Sequence, residues 1–295
     1  WDLNQTTKIK LLFSQVDIDD PADIWTIDGS LNTLSDRPGM DSQKTDSFGL
    51  KIFKDLEHFD IQSYTSATNT DVVFSYDADW GNPESHYPYT YDYFSETFRK
   101  RDTLRQELRI LSKSKDFSSK SRLKWVFGVD FNNLKETNLT NDDGIYGDPS
   151  DPFSPYLSES SISRDYEADN FSLFGNIDYF LSENYLFTFG LRRENWDSKY
   201  NDSNKESFNP SDSMNGGKAS LIKNYDDSSN IYFSIARGYK QGGFNLNLDA
   251  LDIDSNNSLI YDPEFLTNYE IGFNSNINLS LNYSAILFFS QRDDQ

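Results

Sequence analysis

The chain of 295 residues contains no cysteine and only two histidines, His58 and His86. Without cysteine it has no disulfide and no thiolate metal site. The two histidines are far apart in sequence, and no set of His, Asp and Glu residues has the spacing of metal ligands. We therefore expect no metal site, no cofactor and no enzymatic activity.

Basic residues are also scarce, with 27 Lys and Arg residues against 48 Asp and Glu residues. Proteins that bind nucleic acid need basic patches, so we expect no nucleic-acid partner. Mean hydropathy is low, yet an aromatic content of 16% is too high for a disordered chain. Both properties fit a transmembrane β-barrel, in which only one face of each strand meets lipid.

Long apolar runs are absent as well. The densest apolar stretch, residues 285–289, is much shorter than the roughly 18 residues of a transmembrane helix. The first residues, Trp1-Asp2-Leu3, show no secretory signal. Our expectation is that the chain is a fragment of a longer protein.

What the sequence does have is strict alternation of apolar and polar side chains. The segment 122–132 places on one side Leu123, Trp125, Phe127, Val129 and Phe131, and on the other Lys124, Val126, Gly128, Asp130 and Asn132. Successive side chains of a strand point to opposite faces. This segment therefore predicts a strand with one apolar face.

The same pattern predicts about eleven strands, at 6–16, 47–54, 58–66, 102–111, 122–135, 169–180, 185–197, 217–225, 230–240, 265–274 and 280–292. Short connections lie at 55–57, 112–121, 181–184, 226–229 and 275–279. Long connections lie at about 17–46, 67–101, 136–168, 198–216 and 241–264. Alternating short turns and long loops are typical of an outer-membrane barrel. Amphipathic strands also build soluble β-sandwiches and propellers, but long structureless loops are uncommon there.

The alternation also predicts which side chains face lipid. The expected lipid-facing set is Leu123, Trp125, Phe127, Val129, Phe187, Phe189, Phe233, Ile271 and Leu287. The expected lumen-facing set is Glu107, Arg109, Lys124, Asp130, Asp178, Arg192, Glu194 and Glu270. Aromatic residues near strand ends fit interfacial girdles, namely Tyr179, Phe180, Tyr185, Tyr225, Tyr239 and Tyr283.

Several phrases occur in a fixed order along the chain. They are Arg105-Gln106-Glu107-Leu108-Arg109-Ile110, Trp125-Val126-Phe127-Gly128-Val129, Ala236-Arg237-Gly238-Tyr239-Lys240-Gln241-Gly242-Gly243-Phe244-Asn245 and, after Pro263-Glu264, Asn268-Tyr269-Glu270-Ile271-Gly272. Together they resemble the barrel domain of TonB-dependent receptors, particularly those that take up iron complexes. Glycines 238, 242 and 243 lie where a strand gives way to its loop, and permit a bulge or a sharp turn there.

The resemblance implies an all-β, antiparallel up-and-down transmembrane β-barrel in the outer membrane of a Gram-negative bacterium. Residues 1–295 would supply about 11 of an expected 22 strands, with the plug domain and the other strands absent. The implied function is TonB-dependent uptake of a scarce ligand, a ferric siderophore or similar iron complex. The implied partners are outer-membrane lipid, the small-molecule ligand, and the energy-coupling protein TonB acting through the missing plug.

Two other functions are compatible with amphipathic strands. A passive porin would share the barrel but lack the family phrases. A secreted carbohydrate-active β-protein would use acidic pairs and aromatics, but would not need an apolar outer face on strand after strand.

Aromatic residues concentrate in two predicted long loops and are the candidate ligand contacts: Trp80, Tyr87, Tyr89, Tyr91, Tyr146, Phe153 and Tyr156. The alternative is that they pack the loops against one another. The acidic run Asn141-Asp142-Asp143-Gly144, with Asp148 and Asp151, lacks the ligand spacing of a helix-loop-helix calcium site and predicts a solvated loop.

Overall fold

The computed structural model describes residues 2–22, 25–26, 29–113, 122–226, 228–244, 260–278 and 281–293. Within these ranges the regular secondary structure is entirely β-strand. No helix in this part of the chain is long and apolar enough to cross a bilayer.

The described residues form eleven strands of 12 residues or more and four short ones. In chain order they are β1 Asp2–Asn4, β2 Thr7–Pro21, β3 Met40–Asp55, β4 Phe59–Asp77, β5 Thr90–Ser112, β6 Leu123–Gly147, β7 Tyr156–Phe180, β8 Tyr185–Asp202, β9 Ser207–Phe208, β10 Ser211–Asn224, β11 Ser229–Lys240, β12 Gly243–Phe244, β13 Ile260–Tyr261, β14 Glu264–Asn278 and β15 Leu281–Asp293.

Strands that follow one another in sequence are neighbours in one antiparallel sheet. The order runs β1-β2-β3-β4-β5-β6-β7-β8-β10-β11-β14-β15, with β9 added on β8, while β12 and β13 pair with each other. Among the described residues no ladder joins β15 to β1 or β2, and side chains of β15 are exposed along the whole strand. The predicted antiparallel, up-and-down sheet of about eleven strands is confirmed.

Several strands are longer than predicted, and the additional residues lie at the strand ends that lead to the long loops. The predicted loop 67–101 shrinks to residues 78–89, and the predicted loop 136–168 shrinks to 148–155. In these extensions both faces carry polar residues, so the apolar alternation stops although the backbone ladder continues. Cross-strand contacts such as Thr45–Thr70 (3.1 Å) and Thr97–Thr140 (3.2 Å) link side chains there. Most of the predicted loop 241–264 lies outside the described residues.

The strand register places the expected lipid-facing residues on one face, here called the apolar face. One continuous row across seven strands consists of Leu123, Tyr179, Phe187, Leu221, Phe233, Ile271 and Leu287. The opposite face, here called the polar face, carries the row Lys10, Lys51, Tyr64, Glu107, Asp130, Ser172, Glu194 and Met214.

Burial on the two faces is the reverse of that in a soluble protein. Glu107 and Asp130 on the polar face are 6% and 5% exposed, whereas Phe127 and Phe189 on the apolar face are 43% and 40% exposed. A soluble protein rarely exposes so large an apolar surface. The arrangement suits a sheet whose apolar face is in contact with hydrocarbon.

Aromatic side chains lie on the apolar face at the strand ends that are joined by the short turns. Tyr185 and Tyr225 lie there, and the Lys223 ammonium group is 5.6 Å and 4.7 Å from their ring centroids. Tyrosine rings with nearby cations are typical of a membrane–water interface.

The face assignment predicts the effect of a buried charge. Phe189→Lys should destabilise the folded, lipid-inserted full-length protein by about 2–4 kcal/mol, because a lysine near mid-membrane on the lipid side is poorly solvated. Urea titrations of folding into lipid vesicles would measure the change. The neighbouring Thr188→Lys, on the polar face, should have a much smaller effect. Equal losses for the two variants would contradict the face assignment.

Candidate functional site

A network of charged side chains crosses the middle of the polar face. On β5 and β6, Glu107 accepts hydrogen bonds from Arg105 (3.2 Å) and from Arg109. Asp130 accepts one from Nε of Arg105 at 2.9 Å. Both carboxylates are buried, so each depends on these guanidinium groups for the solvation that water would otherwise provide.

The network continues to β8 and β11. Glu194 accepts hydrogen bonds from Arg192 (2.9 Å), from the Tyr239 hydroxyl (3.0 Å) and from Asn170 (2.7 Å). Arg192 also lies 3.8 Å from Asp130, on the far side of β7. On β7, the small Ser172 is in register with Asp130, and Phe174, whose ring centroid is 5.9 Å from the Arg192 guanidinium carbon, is in register with Arg192, so the guanidinium group reaches Asp130 diagonally across the strand.

Tyr239 reaches this network although strict alternation along β11 would place its side chain on the apolar face. Strict alternation would make Tyr239 face outward like Phe233, but its hydroxyl donates a hydrogen bond to Glu194 on the polar face. Arg237 and Gly238 are both exposed, and the β10–β11 ladder ends at Arg237. The ring lies against Gly216, where an added Cβ would be 2.9 Å from it. The prediction of Tyr239 as an interfacial aromatic was therefore wrong.

All eight residues expected to face the lumen lie on the polar face, but only five of them join the network. The five are Glu107, Arg109, Asp130, Arg192 and Glu194. The others lie elsewhere: Asp178 accepts from Thr188 at 2.7 Å, Glu270 accepts from Tyr232, and the Lys124 ammonium group is 5.8 Å from the Phe180 ring centroid. Arg105 and Asn170 are not among the residues predicted to face the lumen. Strict alternation nevertheless places Arg105 on the same face as Glu107, and Asn170 on the same face as Ser172.

A small apolar cluster lies on the same face, next to the network on the long-loop side. Its buried members are Ala168, Trp196 and Met214, with Leu134, Tyr166, Tyr239 and Phe265 packed against them. Trp196 and Met214 are 1% and 0% exposed. These side chains separate the charged network from the part of the wall nearer the loops.

Beyond that cluster the polar face contains a pocket of about 510 Å³. We call it the aromatic–arginine pocket and define it by Arg99, Asn138, Arg164, Tyr166, Tyr200 and Phe244. The outward neighbours at this level are polar, for example the ion pair of Lys135 and Glu167 at 2.9 Å. The pocket therefore lies beyond the apolar band, toward the long loops.

One wall of the pocket is aromatic. Phe244 of β12 lies 5.0 Å from Tyr200, 5.7 Å from Tyr166 and 5.7 Å from Phe208, measured between ring centroids. The Tyr200 hydroxyl donates to Asp202 at 3.0 Å. Burial and then the Asp202 carboxylate raise the pKa of Tyr200 to about 12, and the nearby Arg164 guanidinium group opposes this rise.

The other wall carries arginines with different partners. Arg99 and Arg101 pair with Glu136 at 3.3 Å and 2.5 Å. Arg164 donates instead to the neutral oxygens of Asn138 (3.2 Å) and Thr140 (3.0 Å). Among the ion pairs of the described residues Arg164 has no carboxylate partner within 4.0 Å. Its charge is therefore available to an anion that enters the pocket.

The candidate aromatic contacts near the loops mostly pack against other aromatics. The Trp80 ring stacks on Trp25 at 5.8 Å, and the Tyr91 ring lies 5.2 Å from His86 and 6.2 Å from Tyr146. Tyr91, Tyr146 and Tyr156 belong to strands β5, β6 and β7, which corrects their assignment to loops.

The other loop candidates are open to solvent. Tyr87 and Phe153 are 82% and 81% exposed, and Tyr89 is exposed as well. Tyr156 donates its hydroxyl to Asp151 at 2.6 Å, and this hydrogen bond lowers the pKa of the Asp151 carboxyl. The structure brings Tyr91 and Tyr146 together and leaves Tyr87 and Phe153 free to meet a ligand.

Acidic residues at the same rim have structural partners. Asp79 accepts hydrogen bonds from the backbone N–H groups of Tyr93 (2.7 Å) and Gly81 (3.0 Å). Arg37 bridges Asp92 (3.0 Å) and Asp143 (2.8 Å), which ties the 22–39 connection to β5 and β6. Burial, and then the nearby Asp77 carboxylate, raises the pKa of Asp36. No group of three His, Asp or Glu side chains among the described residues is placed to hold a metal ion.

Comparison with known families identifies the kind of protein to which this sheet belongs. The family model described as "TonB dependent receptor-like, beta-barrel" matches residues 2–295. The chain belongs to the TonB-dependent receptor β-barrel family. Members of this family are outer-membrane β-barrel proteins of Gram-negative bacteria. The apolar face is thus the lipid-facing side of a barrel wall, the polar face lines its lumen, and a secreted carbohydrate-active protein is excluded.

Solved structures share the fold. The ferric yersiniabactin uptake receptor FyuA from Yersinia pestis is 17% identical, with a TM-score of 0.71 over 99% of this chain and 43% of FyuA. The siderophore receptor PiuA from Acinetobacter baumannii is 18% identical, with a TM-score of 0.64 over 97% of this chain and 48% of PiuA. The copper transporter OprC is 17% identical, with a TM-score of 0.64 over 100% of this chain and 44% of OprC.

The chain spans less than half the length of each of these three receptors. A search of curated proteins finds no match to the chain.

The network predicts a coupling between Arg192 and Glu194. Glu194→Ala should destabilise the full-length protein by about 1–3 kcal/mol, because it leaves the partly buried Arg192 guanidinium group without its nearest carboxylate. A double-mutant cycle with Arg192→Ala, measured by urea unfolding in detergent micelles, should show that the two losses are not additive. The exposed Glu159→Ala serves as the control. Strictly additive losses would contradict the proposed interaction.

Proposed function

We propose that the full-length protein is a TonB-dependent receptor that takes up a ferric siderophore or a similar iron complex. Membership of the receptor family supports uptake across the outer membrane. Among its structural neighbours, FyuA is a ferric yersiniabactin uptake receptor and PiuA a siderophore receptor. OprC, a copper transporter with a similar fold, indicates that the fold alone does not select the ligand.

The observation that carries the proposal is Arg164 in the aromatic–arginine pocket. Its guanidinium group is held in place by two neutral oxygens and faces an aromatic wall. A ligand with a negative charge and flat conjugated groups would gain both a charge-assisted hydrogen bond and ring contacts there. Ferric complexes of catecholate or carboxylate chelators have this chemistry.

The partners follow from the family. Outer-membrane lipid covers the apolar face, and the iron chelate enters from the long-loop side. Coupling to TonB requires a plug domain, which we expect outside residues 1–295. A passive porin would present the same kind of wall, but the family match favours the receptor.

A binding experiment tests the proposal directly. Full-length receptor in detergent would be titrated with ferric enterobactin, ferric citrate and ferrichrome, each beside its iron-free form, while tryptophan fluorescence is followed. We expect an anionic ferric complex to bind, and Arg164→Gln to weaken binding about tenfold or more, because charged hydrogen bonds contribute roughly 1.5–3 kcal/mol. Lys199→Gln, on the apolar-face side of the neighbouring strand β8, should leave affinity unchanged.

Two outcomes would contradict it. One is a folded wild-type receptor that binds none of the anionic ferric complexes. The other is equal affinity of wild type and Arg164→Gln for a complex that does bind. A separate uptake assay with radioactive iron in cells with and without TonB should show transport only when TonB is present.

The aromatic side chains near the long loops have their own test. The triple variant Trp80→Ala, Tyr89→Ala and Tyr91→Ala changes two positions of the 78–89 loop and one at the start of β5, and it should bind the same ferric complex more weakly, because these side chains would contact the ligand from the loop side. Unchanged affinity, with normal insertion into the membrane, would remove these three side chains from the binding site.

A further inference from the structure

A second pocket lies beside the aromatic–arginine pocket on the polar face. It has a volume of about 520 Å³, and we call it the tryptophan–aspartate pocket. The residues that define it are Trp25, Ser35, Asp41, Phe74, Tyr76 and Trp80. Asp41 is in register with Phe74. The same row continues from Phe74 through Thr97 and Thr140, which line the aromatic–arginine pocket. The two pockets are therefore neighbours at the same level of the wall.

Four aromatic rings line this pocket in two pairs. The Trp25 ring stacks on Trp80 with centroids 5.8 Å apart, and the Phe74 ring lies 5.7 Å from Tyr76. Trp25 and Trp80 remain 66% and 43% exposed, so the stacked pair still has ring surface that a ligand can reach. The face of an aromatic ring attracts a cation.

No cation in the described part of the chain uses these rings. Elsewhere on the sheet a basic side chain lies over an aromatic ring: Arg37 is 4.5 Å from the Phe94 centroid, and Lys51 is 5.0 Å from that of Tyr64. Within the described ranges no lysine or arginine is placed in this way over a ring of the tryptophan–aspartate pocket. Asp41 likewise has no basic partner within 4.0 Å there. The pocket thus combines aromatic rings with a carboxylate that lacks a counter-charge.

A buried hydroxyl group forms part of the same wall. The Ser35 Oγ atom is buried and has no hydrogen-bond partner among the described residues. A buried polar atom without a partner costs free energy. A hydroxyl oxygen can accept a hydrogen bond from an N–H group, so a ligand nitrogen would satisfy it. Ser35 and Asp41 both suit a group that donates hydrogen bonds and carries a positive charge.

The backbone holds Trp80 in place before any ligand arrives. Its φ of +56° lies in the left-handed region, which is unfavourable for a bulky side chain and persists only where neighbouring contacts hold it. Those contacts are present on both sides of the loop. The Gly81 N–H donates to Asp79 at 3.0 Å, and the Asn82 side chain donates to the Leu34 carbonyl at 2.9 Å. The second bond ties the 78–89 loop to the connection that carries Ser35.

We propose that the tryptophan–aspartate pocket binds an ammonium group, so that the ligand of this receptor is an iron complex with an anionic part and a cationic arm. The ammonium group lies against the Trp25 and Trp80 rings, pairs with Asp41 and donates a hydrogen bond to Ser35. The anionic part rests on the function proposed above, since it is the part that Arg164 holds. The capacity of the pocket to bind a cation is independent of that function.

The strand spacing sets the length of such a ligand. Phe74 and Ile162 belong to one row across β4, β5, β6 and β7. Their Cα atoms are about 14 Å apart, because neighbouring strands lie about 4.8 Å from each other. Arg164 is two residues further along β7 than Ile162. A ligand that reaches both pockets therefore has its ammonium and anionic groups on the order of 15 Å apart.

The first test examines the pocket without iron. Full-length receptor in detergent is titrated with n-butylammonium chloride and with the neutral butan-1-ol, at constant ionic strength, while tryptophan fluorescence is followed. We expect the wild type to bind the cation at least about tenfold more tightly than the alcohol, because the rings and Asp41 favour positive charge. Asp41→Asn should abolish this preference. Asp46→Asn, a matched change on the apolar-face side of β3, and Arg164→Gln should both retain it.

The second test uses a pair of radioactive ferric complexes. One is a ferric tris-catecholate that carries a primary amine on a flexible arm, and the other is the same complex with that amine acetylated. The wild type should retain the amine form at least about fivefold better than the acetylated form, since only the amine is charged. Asp41→Asn and Trp80→Leu should remove the difference, and Asp46→Asn should keep it. Heat-modifiable migration in gels verifies that each variant is folded.

Three results would overturn the proposal: equal affinity of the wild type for butylammonium and butanol, an unchanged preference in folded Asp41→Asn, or equal retention of the two ferric complexes. The function proposed above fails in a different way. If butylammonium binds through Asp41 but neither ferric complex is retained, the cation site stands and the iron-complex function is lost.

Discussion

The requirement that every backbone N–H and C=O group in hydrocarbon has a hydrogen-bond partner determines this structure. A continuous antiparallel ladder from β2 to β15 meets it for the long strands inside the sheet, because each of them pairs with a neighbour on both sides. Once the ladder exists, each strand has one lipid-facing and one lumen-facing side. The apolar face must then exclude charge from the middle of the membrane, so the polar face receives nearly all the ionisable groups at that depth.

Because the ionisable groups are concentrated on the lumen side, a second constraint applies: the poorly exposed charges there need partners of opposite charge. Glu107, Asp130 and Glu194 are poorly exposed, and their charges are matched by Arg105, Arg109 and Arg192. Acids and bases on non-adjacent strands can meet only where the intervening strand has a small side chain. Ser172, in register with Asp130, leaves space beside that carboxylate for Arg192 to approach diagonally across β7, and Gly216 leaves space for the Tyr239 ring, whose hydroxyl reaches Glu194. Small residues on the lumen face therefore connect strands that share no backbone hydrogen bond.

The strand number and the two faces could be predicted from sequence because one side of each strand must be apolar within the membrane. Outside the membrane this requirement ends, so the extensions of β4 to β7 gave no apolar alternation and were assigned to loops. Arg164 and Tyr166 lay inside the predicted loop 136–168, and the structure places both in β7. The contact of Tyr239 with Glu194 on the polar face departs from strict alternation, which a period of two cannot represent.

The charged network, the apolar cluster and the aromatic–arginine pocket follow one another along the lumen wall. This order explains why it matters that Arg164 has no carboxylate partner. The charged network near the middle of the wall is closed, since each of its cations has a carboxylate partner. The buried Trp196 and Met214 lie between that network and the pocket, and no ion pair among the described residues joins a network carboxylate to a pocket arginine. Within the pocket Glu136 is shared by Arg99 and Arg101. Arg99, Arg101 and Arg164 therefore outnumber this carboxylate by two charges on a chain whose formal net charge is −21, and Arg164 lies beside aromatic rings on the side from which a ligand would arrive.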